Sequence, residues 1–307
     1  MTNLKVKLGK LELQNPIITA SGTFGYGEEF EDFLNIDKLG AITLKSITLK
    51  PKAGNLPPRI AETPSGMMNS IGLENKGLES LINVTLPKLK KYKKVKVIAN
   101  IAGHTIEENV ECARQLNNQS RVNALEVNIS CPNVDNGGLA FCFNLADVRV
   151  LVEKIRNVYL KPLIVKLSAS VPDILKLAET CVNAGADILS LINTVPALEV
   201  DVEKKALFFK RGSAGLSGPA IRPIALKAVY DVAQKFDVPI IGMGGISCLE
   251  DVLKFLIVGA DAVSIGMMNF VKPTISQDLV MELEKYLKEK KMKLWEMRLN
   301  SSPGPFS

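Results

Sequence analysis

Short apolar, β-branched runs recur along the chain, with longer amphipathic stretches between them. Eight stand out: 16–21, 41–47, 95–101, 124–130, 163–168, 188–194, 239–244 and 262–267. Near-continuous apolar strands are what a parallel sheet buried on both faces requires. Stretches with helical period lie between most of them, at 106–116, 146–158, 171–184, 222–236 and 249–258, each closing near a Gly, Asn or Pro. Ala184-Gly185-Ala186-Asp187 and Gly259-Ala260-Asp261 repeat one device: a helix end, a tight turn, then the next strand. This alternation predicts an α/β fold, a closed (β/α)8 TIM barrel. An open doubly wound sheet is the alternative, and the lack of a GxGxxG after any strand weighs against its dinucleotide-binding form. The first 14 residues alternate apolar and polar positions and predict an N-terminal β-hairpin, not a signal peptide or anchor.

Two connections are too long to be turns: Thr48 to Gly77, and Val195 to Pro219, which contains an alternating piece at 198–209 that reads as a hairpin. Both follow strands, on the barrel end where such enzymes build their sites, so both are expected to be active-site loops. No linker divides the chain, and residues 1–307 are expected to form one domain.

Composition narrows the class. Apolar residues make up 47% of the 307, enough for a large core, yet no run approaches the ~20 residues of a membrane helix. A cytoplasmic protein with no membrane association is the expectation. The net charge of +6 comes largely from lysines at expected helix ends, Lys88 to Lys96 and 288–293, where they are ordinarily solvated. With Trp295 the only tryptophan, no stacking platform for nucleic acid is evident. The five cysteines, Cys112, Cys131, Cys142, Cys181 and Cys248, are widely spaced without a CxxC pair, so no metal or iron–sulfur centre is expected within the chain. Free thiols in a reducing compartment follow.

The chemistry concentrates at strand ends. Ser21-Gly22, Lys45-Ser46, Asn100, Asn128 with Ser130-Cys131-Pro132-Asn133, Lys166, and Asn193-Thr194 all fall at matching places around the barrel. A Lys or Asn inside an apolar strand is costly unless paired, so a shared site explains six strands better than six coincidences. Gly244-Gly245 and Gly266-Met267 end the last two strands, where backbone N–H groups can approach a phosphate, and Gly215-Leu216-Ser217-Gly218 can add to that cradle. Cys131, at the barrel mouth, is a workable proton acceptor given a reference thiol pKa of ~8.5. Cys112, Cys181 and Cys248 read as small buried hydrophobes, and Cys142 as packing. His104, the single histidine, lacks Asp or Ser partners in motif and reads as a loop residue.

These strings, Asn128-Ile-Ser-Cys-Pro-Asn133 with Ala20-Ser-Gly22, Lys45-Ser46, Asn69-Ser-Ile-Gly-Leu73, Asn193-Thr194, Leu216-Ser-Gly-Pro-Ala220 and Gly242-Met-Gly-Gly245, resemble class 1 dihydroorotate dehydrogenases from about Leu11 to Pro273. The Gly137-Gly138-x-Ala140-Phe141 continuation is most similar to class 1B catalytic subunits. The resemblance implies FMN surrounded by Ser21, Lys45, Ser46, Asn100, Asn128, Lys166, Ile192, Gly218, Gly244, Gly245, Gly266 and Met267. It implies dihydroorotate held by Lys45, Asn69, Ser70, Ile71, Gly72, Leu73, Asn128, Asn193 and Thr194, with Cys131 as the base. It further implies a homodimer core within a heterotetramer, with a partner subunit carrying FAD and an iron–sulfur cluster that passes electrons to NAD. Membrane-bound class 2 enzymes use Ser as base and carry an N-terminal extension, unlike this chain. The chain departs from the family at Cys142 (usually Gly), at Met267 (usually Thr), near Asp135-Asn136, at 210–214, and in the tail from Trp295. Rival readings are a transfer-RNA dihydrouridine synthase, the FMN domain of dihydropyrimidine dehydrogenase, and a non-catalytic flavin- or phosphate-binding barrel.

Overall fold

The computed structural model describes residues 4–130, 132–133 and 139–299. Eight parallel strands, β1 (Ile17–Thr19), β2 (Ala41–Thr43), β3 (Lys96–Ile101), β4 (Ala124–Asn128), β5 (Leu163–Leu167), β6 (Ile188–Leu191), β7 (Ile240–Met243) and β8 (Ala262–Ile265), close into a barrel. Each pairs with the next, and β8 returns to β1 through Val263↔Ile17, Ser264↔Ile18 and Ile265↔Thr19. The expected (β/α)8 barrel is the fold.

Helices α1 (Ile106–Asn117), α2 (Leu145–Val158), α3 (Ile174–Asn183), α4 (Arg222–Lys235), α5 (Leu249–Ile257) and α6 (Ile275–Lys290) cover its outside. The first three begin on side-chain caps: Thr105 accepts from the Glu108 N–H, Asn144 from Ala146, and Asp173 from Leu175 and Lys176. The outward strand residues, such as Val97, Leu125, Val165, Leu189 and Val263, form one core with the buried helix faces.

The inward residues form layers. Ile18, Ala41, Ile98, Ala124, Ile164, Ile188, Ile241 and Ala262 make an apolar layer, sealed by Leu8, Leu11 and Leu13 of the N-terminal hairpin, whose strands Val6–Leu8 and Leu11–Leu13 pair as expected. Two residues further along, at the same phase of the pleat, stand Asn100, Glu126, Lys166, Ser190 and Ser264, all buried. The barrel is thus apolar where its strands begin and polar where they end.

The two long connections form one structure. Val195–Leu198, Ser213–Ser217, Gly66–Asn69 and Ile60–Thr63 make a four-stranded antiparallel sheet in that order, joining residues that lie 146 positions apart in sequence. Met68, Phe209 and Ala214 are its small core. The hairpin expected at 198–209 is there, with Val200–Asp201 paired to Ala206–Leu207, but it is the tip of this larger sheet. No helix among the described residues is long and apolar enough to cross a membrane. One correction concerns Cys248: it is exposed at the start of α5, whereas Cys112 and Cys181 are buried as expected.

Candidate active site

A cavity of about 920 Å³ opens at the strand ends beneath the four-stranded sheet, near the upper end of the ~300–1,000 Å³ typical of ligand sites. It is lined by Ser21, Lys45, Ser46, Asn128, Lys166, Ile192, Gly218, Gly244, Gly245, Gly266 and Met267, and by Asn69 to Leu73, Asn193 and Thr194. Of the residues expected from sequence, Asn100 is not in the lining; it is fully buried in the layer below. Cys131 lies outside the described residues, as do Asp135, Asn136, Gly137 and Gly138. His104 is also absent from the lining, and its Nε2 is 2.7 Å from Lys52 Nζ. Cys142 borders the cavity but is buried, and that burial pushes its thiol up to about 11, so it stays un-ionised at neutral pH.

Lys45, Lys166 and Arg211 line this space, with Glu29 and Glu74 on its rim side. Lys166 is only 6% exposed, and its ammonium reaches the Ser21 hydroxyl at 3.4 Å rather than a carboxylate. Lys45 also borders the cavity, and among the described residues it forms no ion pair. A lysine withdrawn from water without a direct ion pair is costly, so Lys45 and Lys166 favour anionic occupants.

An amide array stands beside them. Asn128 Oδ1 accepts from Asn193 Nδ2 and from the Ser130 N–H, both at 3.1 Å, which commits its oxygen and leaves its Nδ2 as a donor. Asn193 Oδ1 accepts from the Thr194 N–H at 2.8 Å. The Asn69–Leu73 segment is tied down on two sides. Asn55 Nδ2 donates to Ser70 O and Oγ at 3.1 and 2.9 Å, and Asn75 Nδ2 donates to Leu73 O and Thr48 Oγ1 at 2.7 and 2.8 Å. Gly72, with φ +72°, sits so close to Asn55 that a Cβ would fall within 2.6 Å of its atoms.

Opposite lies a glycine cradle. Gly218, Gly244 and Gly245 hold φ of +98°, +124° and +80°. A Cβ on Gly245 would sit 2.8 Å from Gly218 O and 2.9 Å from the Arg222 nitrogen. Among the described residues, the N–H groups of Gly245, Gly266 and Met267 are not donated to any backbone carbonyl, leaving them for a ligand. Where the family usually carries a hydroxyl, Met267 Sδ lies 2.8 Å from where a Gly218 Cβ would be, so its thioether packs on the cradle. Asp251, 1% exposed, braces the turn from behind by accepting from Ser247 N–H at 2.9 Å, Ser247 Oγ at 2.8 Å and Arg222 Nη1 at 2.7 Å.

Sequence reasoning missed three parts of this architecture: Glu126, Ser190 and the Asp251 brace. Glu126 and Ser190 were legible in principle, because each falls at the inward phase of its strand. A comparable cleft of about 1090 Å³ lies at the opposite barrel end, but its Lys288, Lys291 and Lys293 are exposed to water and its Asp261 is already paired with Arg298.

Fold and site together define a (β/α)8 barrel built to hold anionic ligands at its C-terminal strand ends. The sequence profile of the dihydroorotate dehydrogenase family matches residues 3–287. The chain is 46% identical over 285 residues to the dihydroorotate dehydrogenase B (NAD(+)) catalytic subunit of Thermoanaerobacter sp. (strain X514), covering 93% of this chain and 94% of that one. It is 47% identical to the protein of that name from Geotalea daltonii, over 93% of both chains, and 44% identical to that of Bacteroides fragilis, over 94% of both. This chain belongs to the dihydroorotate dehydrogenase family.

Proposed function

We propose that this chain is a class 1B catalytic subunit that oxidises (S)-dihydroorotate to orotate in de novo pyrimidine (UMP) biosynthesis. The observation that carries it is the meeting in one cavity of a glycine cradle with Lys45 and Lys166, neither of which forms an ion pair among the described residues. Such a site asks for a phosphate at one end and a carboxylate near the other. FMN fits: the cradle N–H groups suit its phosphate, Lys166 suits the electron-rich end of its ring, and the buried Asn100 Oδ1 lacks a donor that a ring N–H can supply. Ser21, Ser46, Ile192, Gly218, Gly244, Gly245, Gly266 and Met267 complete its surroundings. Bound FMN supplies the acceptor for the two electrons lost at substrate carbon C6.

The chain's own residues do the rest. Lys45 holds the substrate carboxylate, while Asn69, Asn128, Asn193 and Thr194 bond the ring amides, and Ser70 to Leu73 close over them. Cys131, as thiolate, takes the proton from C5. The protein works in the cytoplasm as one domain per chain, in a homodimer core with a partner subunit carrying FAD and an iron–sulfur cluster that delivers electrons to NAD.

The test is an anaerobic visible spectrum of the FMN-loaded protein before and after dihydroorotate. Bleaching of the flavin bands supports the reading; an unchanged spectrum refutes it. Cys131→Ala, with flavin retained, is expected to slow bleaching by about 10²- to 10⁴-fold, the usual cost of losing a general base. An unchanged rate would remove Cys131 from that role.

A further inference from the structure

Beneath the cavity lies a buried carboxylate that the proposed chemistry does not use. Glu126 stands on β4 two residues before Asn128 and is 2% exposed. Its Oε1 accepts from Asn100 Nδ2 at 2.6 Å and its Oε2 from Ser190 Oγ at 2.8 Å. Lys166 is on the adjacent strand, where Ile164 pairs with Glu126 and Lys166 with Asn128, so lysine and glutamate are diagonal neighbours. The lysine nevertheless turns its ammonium to Ser21. Each carboxylate oxygen thus has one neutral donor, which solvates the charge without cancelling it. Holding a carboxylate this way is costly, and an amide or apolar side chain would be the cheaper occupant of the layer.

The arrangement also decides which way Asn100 faces. An acceptor-only carboxylate requires Nδ2 toward it, since Oδ1 there would set two acceptors against each other. Asn100 Oδ1 is therefore left as a buried acceptor with no donor in the protein. Such groups are rare, and here the orphan lies directly under the ligand cavity.

Resting on the FMN reading above, we infer that Glu126 is a positioning residue for the flavin. It fixes Asn100 as an acceptor and sets a buried negative charge against Lys166, and this pair governs how readily the bound flavin is reduced. Reduction adds electron density to the ring, which Lys166 favours and a fixed carboxylate opposes.

The experiment uses purified FMN-loaded wild type, Glu126→Gln and Glu126→Asp, each equilibrated anaerobically with a redox dye of known potential and without substrate. Glu126→Gln keeps the volume and loses the charge; its Oε1 can still accept from Asn100, while its Nε2 donates to the Ser190 hydroxyl and reverses that bond. It is expected to shift the equilibrium toward reduced flavin by at least about tenfold, about 30 mV for a two-electron couple. Glu126→Asp keeps the charge and is expected to stay close to wild type. A purely structural role predicts the reverse order, with Gln benign and Asp disruptive. A Gln variant indistinguishable from wild type overturns the inference while leaving FMN binding intact. Should that variant not fold, the Asp variant decides: a wild-type equilibrium sustains the role of the charge, and a tenfold shift overturns it. Wild type that fails to bind added FMN overturns the functional reading and this inference with it.

Discussion

Asp251→Ala tests how the phosphate cradle is held. Asp251 is buried, and its two oxygens take the Ser247 N–H, the Ser247 hydroxyl and the Arg222 guanidinium. Arg222 begins α4 directly beside Gly245, where an added Cβ would meet Arg222 Cβ at 2.7 Å. Deleting the carboxylate strips the turn of its acceptor and leaves the guanidinium without its partner. Breaking a buried pair costs ~3–5 kcal/mol. The Arg222 side chain is 29% exposed, so water recovers part of its charge, and the low end of that range, about 3 kcal/mol, is the expectation. Asp251→Asn can keep its one oxygen toward Ser247 only by turning Nδ2 toward the Arg222 donor, so it loses the charge-assisted bond, at least about 1.5 kcal/mol. The pH dependence has a definite sign. Burial works to raise the Asp251 pKa, but the Ser247 hydrogen bonds and the Arg222 charge outweigh it and hold the carboxyl below its ordinary range. A depressed folded pKa contributes stability that is fully present above the unfolded value of ~3.9 and is lost as pH falls through the folded one. The difference between wild type and Asp251→Asn in urea unfolding should therefore be constant from neutral pH to about 5 and close below about 4. A difference that widens on acidification, or is absent at pH 7, would refute the reasoning.

Three further outcomes follow from the same geometry. Gly245→Ala places a Cβ against Gly218 O at a φ of +80° and should weaken FMN retention at least about tenfold, read by ultrafiltration; unaltered retention would show that the cradle is not the phosphate site. Lys45→Met should raise the dihydroorotate KM about 10- to 100-fold, the worth of a hydrogen bond to a charged group, in a stopped-flow titration of flavin bleaching, and an unchanged KM would remove Lys45 from substrate binding. In native protein at pH 8 a thiol reagent should modify Cys248 while sparing Cys112 and Cys142, whose thiols burial pushes up to about 12 and about 11; rapid mass-mapped labelling of either would contradict the packing.

The barrel was legible because each of its strands carries a short apolar run and the helices between them keep a clean period. The apolar runs extend past the strands: the run 188–194 ends as a strand at Leu191, and although Ile192 and Asn193 still donate their N–H groups to Met243 and Leu167 of the flanking strands, Ile192 to Thr194 line the cavity. The loop sheet was only partly legible. Its hairpin tip shows local alternation, but the pairing of Ser213–Ser217 with Gly66–Asn69 joins segments with no local signal of each other. Asn100 marks the limit of reading by strand position alone. It shares a strand end with cavity residues, yet its place is set by Glu126, to which it is hydrogen-bonded from the neighbouring strand.

The deeper regularity is one of parity. On β3, β4 and β5 the inward positions read Ile98-Asn100, Ala124-Glu126-Asn128 and Ile164-Lys166, passing from apolar to polar at the same height on each strand. A one-residue slip of any strand would turn its polar residues into the helix-facing core, where nothing could pair them. The polar layer therefore carries two constraints in one set of residues: it forms the floor of the site, and it penalises every wrong register of the barrel. Glu126 expresses both most sharply. Its hydrogen bonds to β3 and β6 pin three inward-facing side chains to one height, directly under the cavity whose occupant its charge would act on.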